Sequence, residues 1–246
     1  MRVAVYTCVT NNYDYIAAPA VITNGVDYLC FSDGSVIAPT PWENIRIDDA
    51  YSGKDANRYI KIMPHLNSRL SSYDLTIYVD GVIDITGDLT PLIKVVEKAS
   101  GNLFMYKHPL RDCVYLEARS CVESMKGSIK TISKLIKQFK MGGLPENYGL
   151  FEGGVIIRKS SSEKKLMEVW WSIYLSGIKR DQLGLIYALW TTGLEVHSLG
   201  MPDHRQNQIY FRCRPGHTGD FIRRYFAWFI WRPVISFMID AKLIKL

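Results

Sequence analysis

Tyr73-Asp74-Leu75-Thr76-Ile77-Tyr78-Val79-Asp80-Gly81-Val82-Ile83-Asp84 is the stretch that decides the fold. Residues 75–79 are short-run, β-branched and aromatic, the composition of a buried strand. The apolar run stops at Asp80, and Gly81 follows. A carboxylate at the end of a buried strand is delivered to the rim of a sheet, where pockets form. Gly81, with no Cβ, leaves room for a ligand to approach. Asp84 supplies another acid, but on a strand it need not face the same way as Asp80.

The segments on either side repeat the strand-helix alternation. Residues 2–9 read as a first buried strand, closed by the turn-rich Thr10-Asn11-Asn12-Tyr13-Asp14. Further strands are expected over 27–32, ending at Asp33-Gly34, and over 45–47, 103–106, 154–158 and 195–199. Helices are expected over 57–70 (bent or divided by Pro64), 91–99, 115–140, 162–176 and 180–191. Thr90 is a candidate cap for the second of these, with Pro91 in its first turn. Strands alternating with helices imply an α/β fold whose mixed, mostly parallel sheet is covered on both faces. Ligands of such sheets bind outside the carboxyl ends of the strands. That puts Thr7 to Thr10, Ser32-Asp33 and Asp80-Gly81 on one rim.

At 246 residues and 48% apolar content, the chain is long enough for one α/β domain, or for one domain plus a tail. A net charge of +6 favours anionic partners. The five cysteines are odd in number and include no CxxC pair, so neither a disulfide framework nor a zinc site is expected. Met1 leads directly into a strand, so no signal peptide and a cytoplasmic location are expected. No apolar run reaches the roughly 18 residues of a spanning helix. No GxGxxG follows the first strand, and neither a Walker lysine loop nor a GxSxG elbow is present, which argues against dehydrogenases, P-loop enzymes and α/β-hydrolases.

Five further segments carry chemistry-bearing residues. Arg58 and Lys61, three apart on a predicted helix, share a face and together suit a diphosphate. Residues 107–118 gather His108, Arg111, Asp112 and Glu117 behind a strand, the density of a loop that closes over substrate. Glu152-Gly153-Gly154 precedes a strand and permits close backbone approach. Asp181 and Gln182 open a helix, where Asp181 also offsets the helix dipole. His217 follows Pro215-Gly216, near His204.

These segments, in this order, resemble the glycosyltransferase-like family that includes the plant TOD and MUCI-type proteins (domain of unknown function 616). The blocks are Arg58-x-x-Lys61-x-x-Pro64-His65, Tyr73-Asp74 through Asp80-Gly81, Lys107-His108-Pro109-x-Arg111-Asp112-Cys113-x-Tyr115-x-Glu117-Ala118, Trp170-Trp171 and Arg180-Asp181-Gln182-Leu183. The resemblance runs from about Val3 to His217. That family is similar in turn to GT-A fold enzymes, above all the retaining family 8 glycosyltransferases.

The resemblance implies a GT-A-like catalytic domain over 1–219 that transfers a hexose, galactose by family context, from a UDP-sugar to a glycan or lipid-linked glycan acceptor of a bacterial surface polysaccharide. It implies that Asp80 and His217 hold Mn2+ or Mg2+ against the diphosphate. Asp33 would contact the nucleoside, Thr7, Arg58, Lys61, Gly81, His108 and Arg111 would line the donor, and Gly153 and Gly154 the sugar. Asp181 or Gln182 would lie at the reacting carbon if configuration is retained, which the family 8 likeness favours. Asp181 or Glu117 would act as base if it is inverted. Val82 replaces the second acid of an Asp-x-Asp motif. Asp84, the Asp80–His217 pair, or the cations Arg58 and Lys61 are the alternatives for that missing acid. A hydrolase acting on a lipid or glycan, and a non-catalytic glycan-binding scaffold, are the competing functions.

Residues 220–246 differ in kind. Phe221, Tyr225, Phe226, Trp228, Phe229 and Trp231 interleave with Arg223, Arg224 and Arg232, and Lys242 and Lys245 follow. Pro233 is expected to split the segment into two short helical pieces. The pattern suits an amphipathic anchor on an anionic membrane, at the inner face of the cytoplasmic membrane. A helix packed on the domain or on a partner subunit is the alternative. No nucleic-acid motif is present.

Overall fold

A computed structural model describes residues 1–47, 51–160, 164–177, 179–215 and 226–244. All seven residues of β1 (Val3–Val9) and all five of β4 (Leu75–Val79) are buried. Strands apolar on both faces must lie inside a sheet covered on both sides. They do: β1 pairs in parallel with β2 (Val26–Ser32) on one side and with β4 on the other. β3 (Glu43–Arg46) extends the sheet parallel to β2. Beyond β4 come β7 (Phe151–Lys159), β6 (Leu103–Lys107) and the two-residue β8 (His197–Ser198). The seven-stranded order is β3-β2-β1-β4-β7-β6-β8. β7 alone runs antiparallel to its neighbours β4 and β6.

Each face of the sheet carries its own core. Tyr6, Phe31, Tyr78 and Ile156 pack under α1 (Gly53–Ile62), α3 (Val114–Glu123), α4 (Ile129–Met141), α5 (Lys164–Leu175) and α6 (Asp181–Thr192). Val5, Ile77, Phe104 and Ile157 pack under α2 (Thr90–Lys98) and a small antiparallel ribbon. That ribbon pairs β5 (Ile83–Ile85) with β9 (Phe211–Cys213). Each of its strands has three residues. Such short strands leave no periodic pattern to read, and neither was expected.

Several boundaries differ from expectation for local reasons. The helix expected over 57–70 starts at Gly53 and stops at Ile62, and Pro64 opens a separate 3-10 turn, Pro64–Leu66. A proline ring cannot continue the ladder. The stretch 115–140 is two helices, because Met125 turns left-handed at φ 55° and Ser128 caps the second one by accepting a bond from the Thr131 amide at 3.1 Å. β7 is longer than the expected 154–158 at both ends. Thr90 is the first residue of α2 rather than its cap, and Asp88 Oδ1 accepts from the Thr90 amide at 3.0 Å.

Pro233 does not split the C-terminal segment. A π turn, Ala227–Trp231, runs directly into α7 (Arg232–Asp240). Pro233 is the second residue of α7, where a missing N–H is tolerated. Ile235 is buried against the core, and Trp231 Nε1 donates to Val122 O at 3.0 Å. Arg119 clasps Asp240 at 2.8 Å and Ser236 Oγ at 2.8 Å. The other face is exposed: Trp228, Phe229, Ile230, Val234 and Phe237 are each more than half accessible. Phe221, Arg223, Arg224, Tyr225 and Lys245 lie outside the described residues. Among the described residues, no helix is long and apolar enough to cross a membrane.

Candidate functional site

The site grows from the end of β4. The Asp80 amide donates to Gly154 O at 2.8 Å, which extends the β4–β7 ladder by one rung. Tyr78 lies two residues earlier on the same face, and its hydroxyl donates to Asp80 Oδ1 at 2.6 Å. Lys61, in the last turn of α1, is 2% exposed. Its Nζ stands 3.5 Å from Asp80 Oδ1 and 2.7 Å from Asp181 Oδ2. Arg58 lies on the same helix face, with Nε 3.3 Å from Asp181 Oδ2. The result is a continuous chain of charge: Asp80, Lys61, Asp181, Arg58.

Asp181 is placed by α6, which it opens. Trp170 Nε1 donates to the Asp181 carbonyl at 2.7 Å, and Trp170 is 1% exposed. Gly184 lets α6 lie on that indole, since a Cβ there would stand 3.3 Å from Trp170 Cδ1. Burial pushes the Asp181 pKa up, but Arg58, Lys61 and Arg180 outweigh it and hold the carboxyl well below the usual range. Asp181 is therefore an anion at any physiological pH. Its neighbour Gln182 donates from Nε2 to Phe151 O at 2.9 Å.

The two glycines of β7 touch this chain of charge directly. A Cβ on Gly153 would stand 3.1 Å from Lys61 Nζ, and one on Gly154 would stand 3.8 Å from Asp80 Oδ2 and 2.8 Å from Ile83 Cδ1. Gly81 has a different reason to be glycine. A Cβ there would meet Val9 Cγ2 at 2.7 Å and Asp14 Cβ at 3.2 Å, so Gly81 is required by packing against the end of β1 and the loop that follows it.

A second acidic pair lies further along the rim. Glu152, at the start of β7, takes His204 Nε2 at 2.7 Å and Arg205 Nε at 2.9 Å. Burial raises its pKa, and the bonds from His204 and Arg205 bring it below the ordinary glutamate value. Glu117 is buried on α3 and holds Arg111 NH2 at 2.6 Å. His108 stands 3.8 Å from Glu117, and its Nδ1 accepts from the Arg111 amide at 3.1 Å. Burial depresses the His108 pKa, with Glu117 opposing. These groups form two clusters of alternating sign, each built on a buried glutamate and edged by a more exposed arginine.

On the other side of Asp80, the loops after β1 and β2 are tied together. Asp33 accepts from the Asn11 amide at 2.9 Å and from Ser35 Oγ at 2.5 Å. Slight burial raises the Asp33 pKa, but these bonds pull it below the ordinary value. Between the loops is a cleft bordered by Thr7, Ile16, Trp42, Asp80 and Gly81. Thr7 Oγ1 is buried there without a hydrogen-bond partner.

The donor set fits a divalent cation poorly. Lys61 Nζ stands 3.5 Å from Asp80 Oδ1, and its positive charge there opposes a cation. Asp84 is turned to Arg212 and Arg214, each at 3.3 Å. Among the described residues, no group of three acids, histidines or cysteines is placed to hold a metal. His217, the other expected ligand, lies outside the described residues. Sequence reasoning named most of the rim but gave no role to Tyr78, Arg180 or Arg205. Tyr78 carried a readable signal, since a strand residue two before a site acid shares its face. Arg180 was visible only as part of the 180–183 block, and Arg205 carried no signal. No protein-family model matches this chain, and no curated protein is similar to it in sequence.

Proposed function

We propose that the chain is a GT-A-type glycosyltransferase that moves a hexosyl group from a UDP-sugar to a surface-polysaccharide acceptor. The observation that carries this reading is the Asp80–Lys61–Asp181–Arg58 chain at the carboxyl end of β4, faced by two glycines. The order of the sequence blocks and the mixed, mostly parallel sheet support it.

The chemistry follows from charge. As the bond between the anomeric carbon and the diphosphate oxygen breaks, its electron pair leaves with the diphosphate. Arg58 and Lys61 are the cations this reading assigns to the diphosphate, and charge placed beforehand is what stabilises such a leaving group. Positive charge develops at the anomeric carbon, where an ionised carboxylate stabilises it. Asp181 supplies that anion. Its depressed pKa makes it a poor proton acceptor, because a general base works best with a pKa near the operating pH. A strongly acidic Asp181 thus suits a retaining transfer better than the part of base in an inverting one. If Mn2+ or Mg2+ takes part, Asp80 is the described residue that would hold it, adding charge against the diphosphate.

The test is a panel of UDP-hexoses with the full chain, with and without chelator. UDP release and sugar transfer are expected with one donor. Lys61→Met is expected to weaken donor binding by about a hundredfold, the loss of one buried charge-assisted contact. Binding of no donor and release of no UDP would sink the proposal. Transfer that survives chelation assigns the diphosphate to the two cations, and transfer that is lost assigns it to a metal.

The exposed face of the π turn and α7 supports placement on an anionic membrane. Phe229 and Phe237 are each 68% exposed, and Arg232 stacks over Trp228 at 4.4 Å. Burying each phenyl in the interface is worth roughly 1.5–3 kcal/mol. The Phe229→Ser/Phe237→Ser double variant is expected to lose most cosedimentation with phosphatidylglycerol vesicles while still binding donor. Equal cosedimentation of variant and parent would refute this placement.

A further inference from the structure

A second polar site lies on the same face of the sheet, four residues before Asp80 along β4. Thr76 and Arg158 are cross-strand partners there. At strand rise, Thr76 is about 13 Å from Asp80. Arg158 is 2% exposed. Its guanidinium donates to Tyr6 Oη at 3.1 Å and to the Lys61 carbonyl at 3.0 Å, while Nε is buried with no partner. None of the ion pairs among the described residues includes it. A buried guanidinium without a counter-charge is costly.

Arg158 lines a cavity of about 110 Å³ together with His65, Thr76, Ser71 and Lys164. Both ring nitrogens of His65 are buried with no hydrogen-bond partner. One unpartnered histidine is ordinarily satisfied by water. Water does not neutralise Arg158. An oxyanion does both, since it accepts from the guanidinium and from a ring N–H. Lys164, exposed at the start of α5, adds positive charge at the edge. Glu168, one turn further along α5, acts on His65 from outside the cavity lining.

We propose that this cavity binds a phosphate-class oxyanion between Arg158 and His65, at a site separate from the Arg58–Lys61 pair. The anion is either free phosphate or the phosphate of a small monoester.

The test uses the full chain with ¹⁵N-labelled histidine. The His65 ring signals, assigned by their loss in His65→Phe, are followed during titration with inorganic phosphate. Sodium chloride at matched ionic strength is the control, and glycerol phosphate is a second arm. A saturable shift with either phosphate and none with chloride is expected. Tighter binding of the first identifies the free ion, and tighter binding of the second a monoester. Arg158→Gln is expected to weaken binding at least about tenfold, as removal of a charge-assisted hydrogen bond does. Should that variant not fold, a selenate-soaked crystal of the parent gives the same answer: anomalous density is expected within bonding distance of Arg158 Nε and His65. A His65 response equal to that in chloride, or no such density, overturns the proposal.

Discussion

Asp181→Asn is expected to lower stability by about 3–5 kcal/mol and sugar transfer by on the order of a thousandfold. Asparagine keeps the shape and removes the charge. Lys61, 2% exposed, then keeps only Asp80 at 3.5 Å, and Arg58 loses its 3.3 Å partner. Breaking one side of a buried ion cluster leaves uncompensated cations, which cost more than the pair contributed. Urea unfolding measures the first effect, and transfer rates at saturating donor measure the second. Full transfer by a folded Asp181→Asn protein would remove Asp181 from the reaction. The same residue sets an acid limit. Its folded pKa lies well below the ordinary 3.8, so its contribution is fully present above that value. As pH falls below 3.8 toward the folded pKa, the unfolded state takes up the proton first and that stability is lost. The urea-unfolding midpoint of Asp181→Asn is expected to depend less on pH in that window than that of the parent.

Trp170→Ala is expected to cost about 3–5 kcal/mol, the usual loss for a buried tryptophan. Trp170 is 1% exposed and packs against Gly184 on α6. Trp170→Phe isolates a different effect. It keeps most of the apolar contact but deletes the 2.7 Å bond to the Asp181 carbonyl. That bond fixes the first residue of α6, and so the Asp181 carboxylate. Trp170→Phe is expected to cost about 1–3 kcal/mol, the penalty of an unsatisfied buried carbonyl. Its transfer rate is expected to fall about tenfold even where the protein is fully folded. A folded Trp170→Phe with the parent's transfer rate would reduce Trp170 to packing alone.

What the sequence revealed depended on how local its cause was. β1 and β4 were legible because strands buried on both faces leave uninterrupted apolar runs. Lys61 and Arg58 were legible as a pair because helix spacing puts them on one face. Their partner was not: Asp181 lies 120 residues from Lys61, and only tertiary packing joins them. The direction of β7 was equally hidden, because an apolar strand reads the same whichever way it runs. β5 and β9 are too short to show a period. Glu152 came into view as a companion of two glycines, while its bonds to His204 and Arg205 depend on a turn that leaves no periodic trace.

The reversed strand also sets when the site can exist. Everything from Arg58 to Asp80 is made early, and β1, β2 and β4 can pair as soon as the first third of the chain is available. Gly153 and Gly154 enter only when β7 slots between β4 and β6, and Asp181 only after α6 docks. Until then Lys61 has one acid at most. Nascent chains that stop short of Asp181 therefore hold the cations without the anion they pair with. Such contacts, distant in sequence, form late and slowly. The arrival of α6 is in this sense a licensing step: the chain of charge closes only once Asp181 is in place.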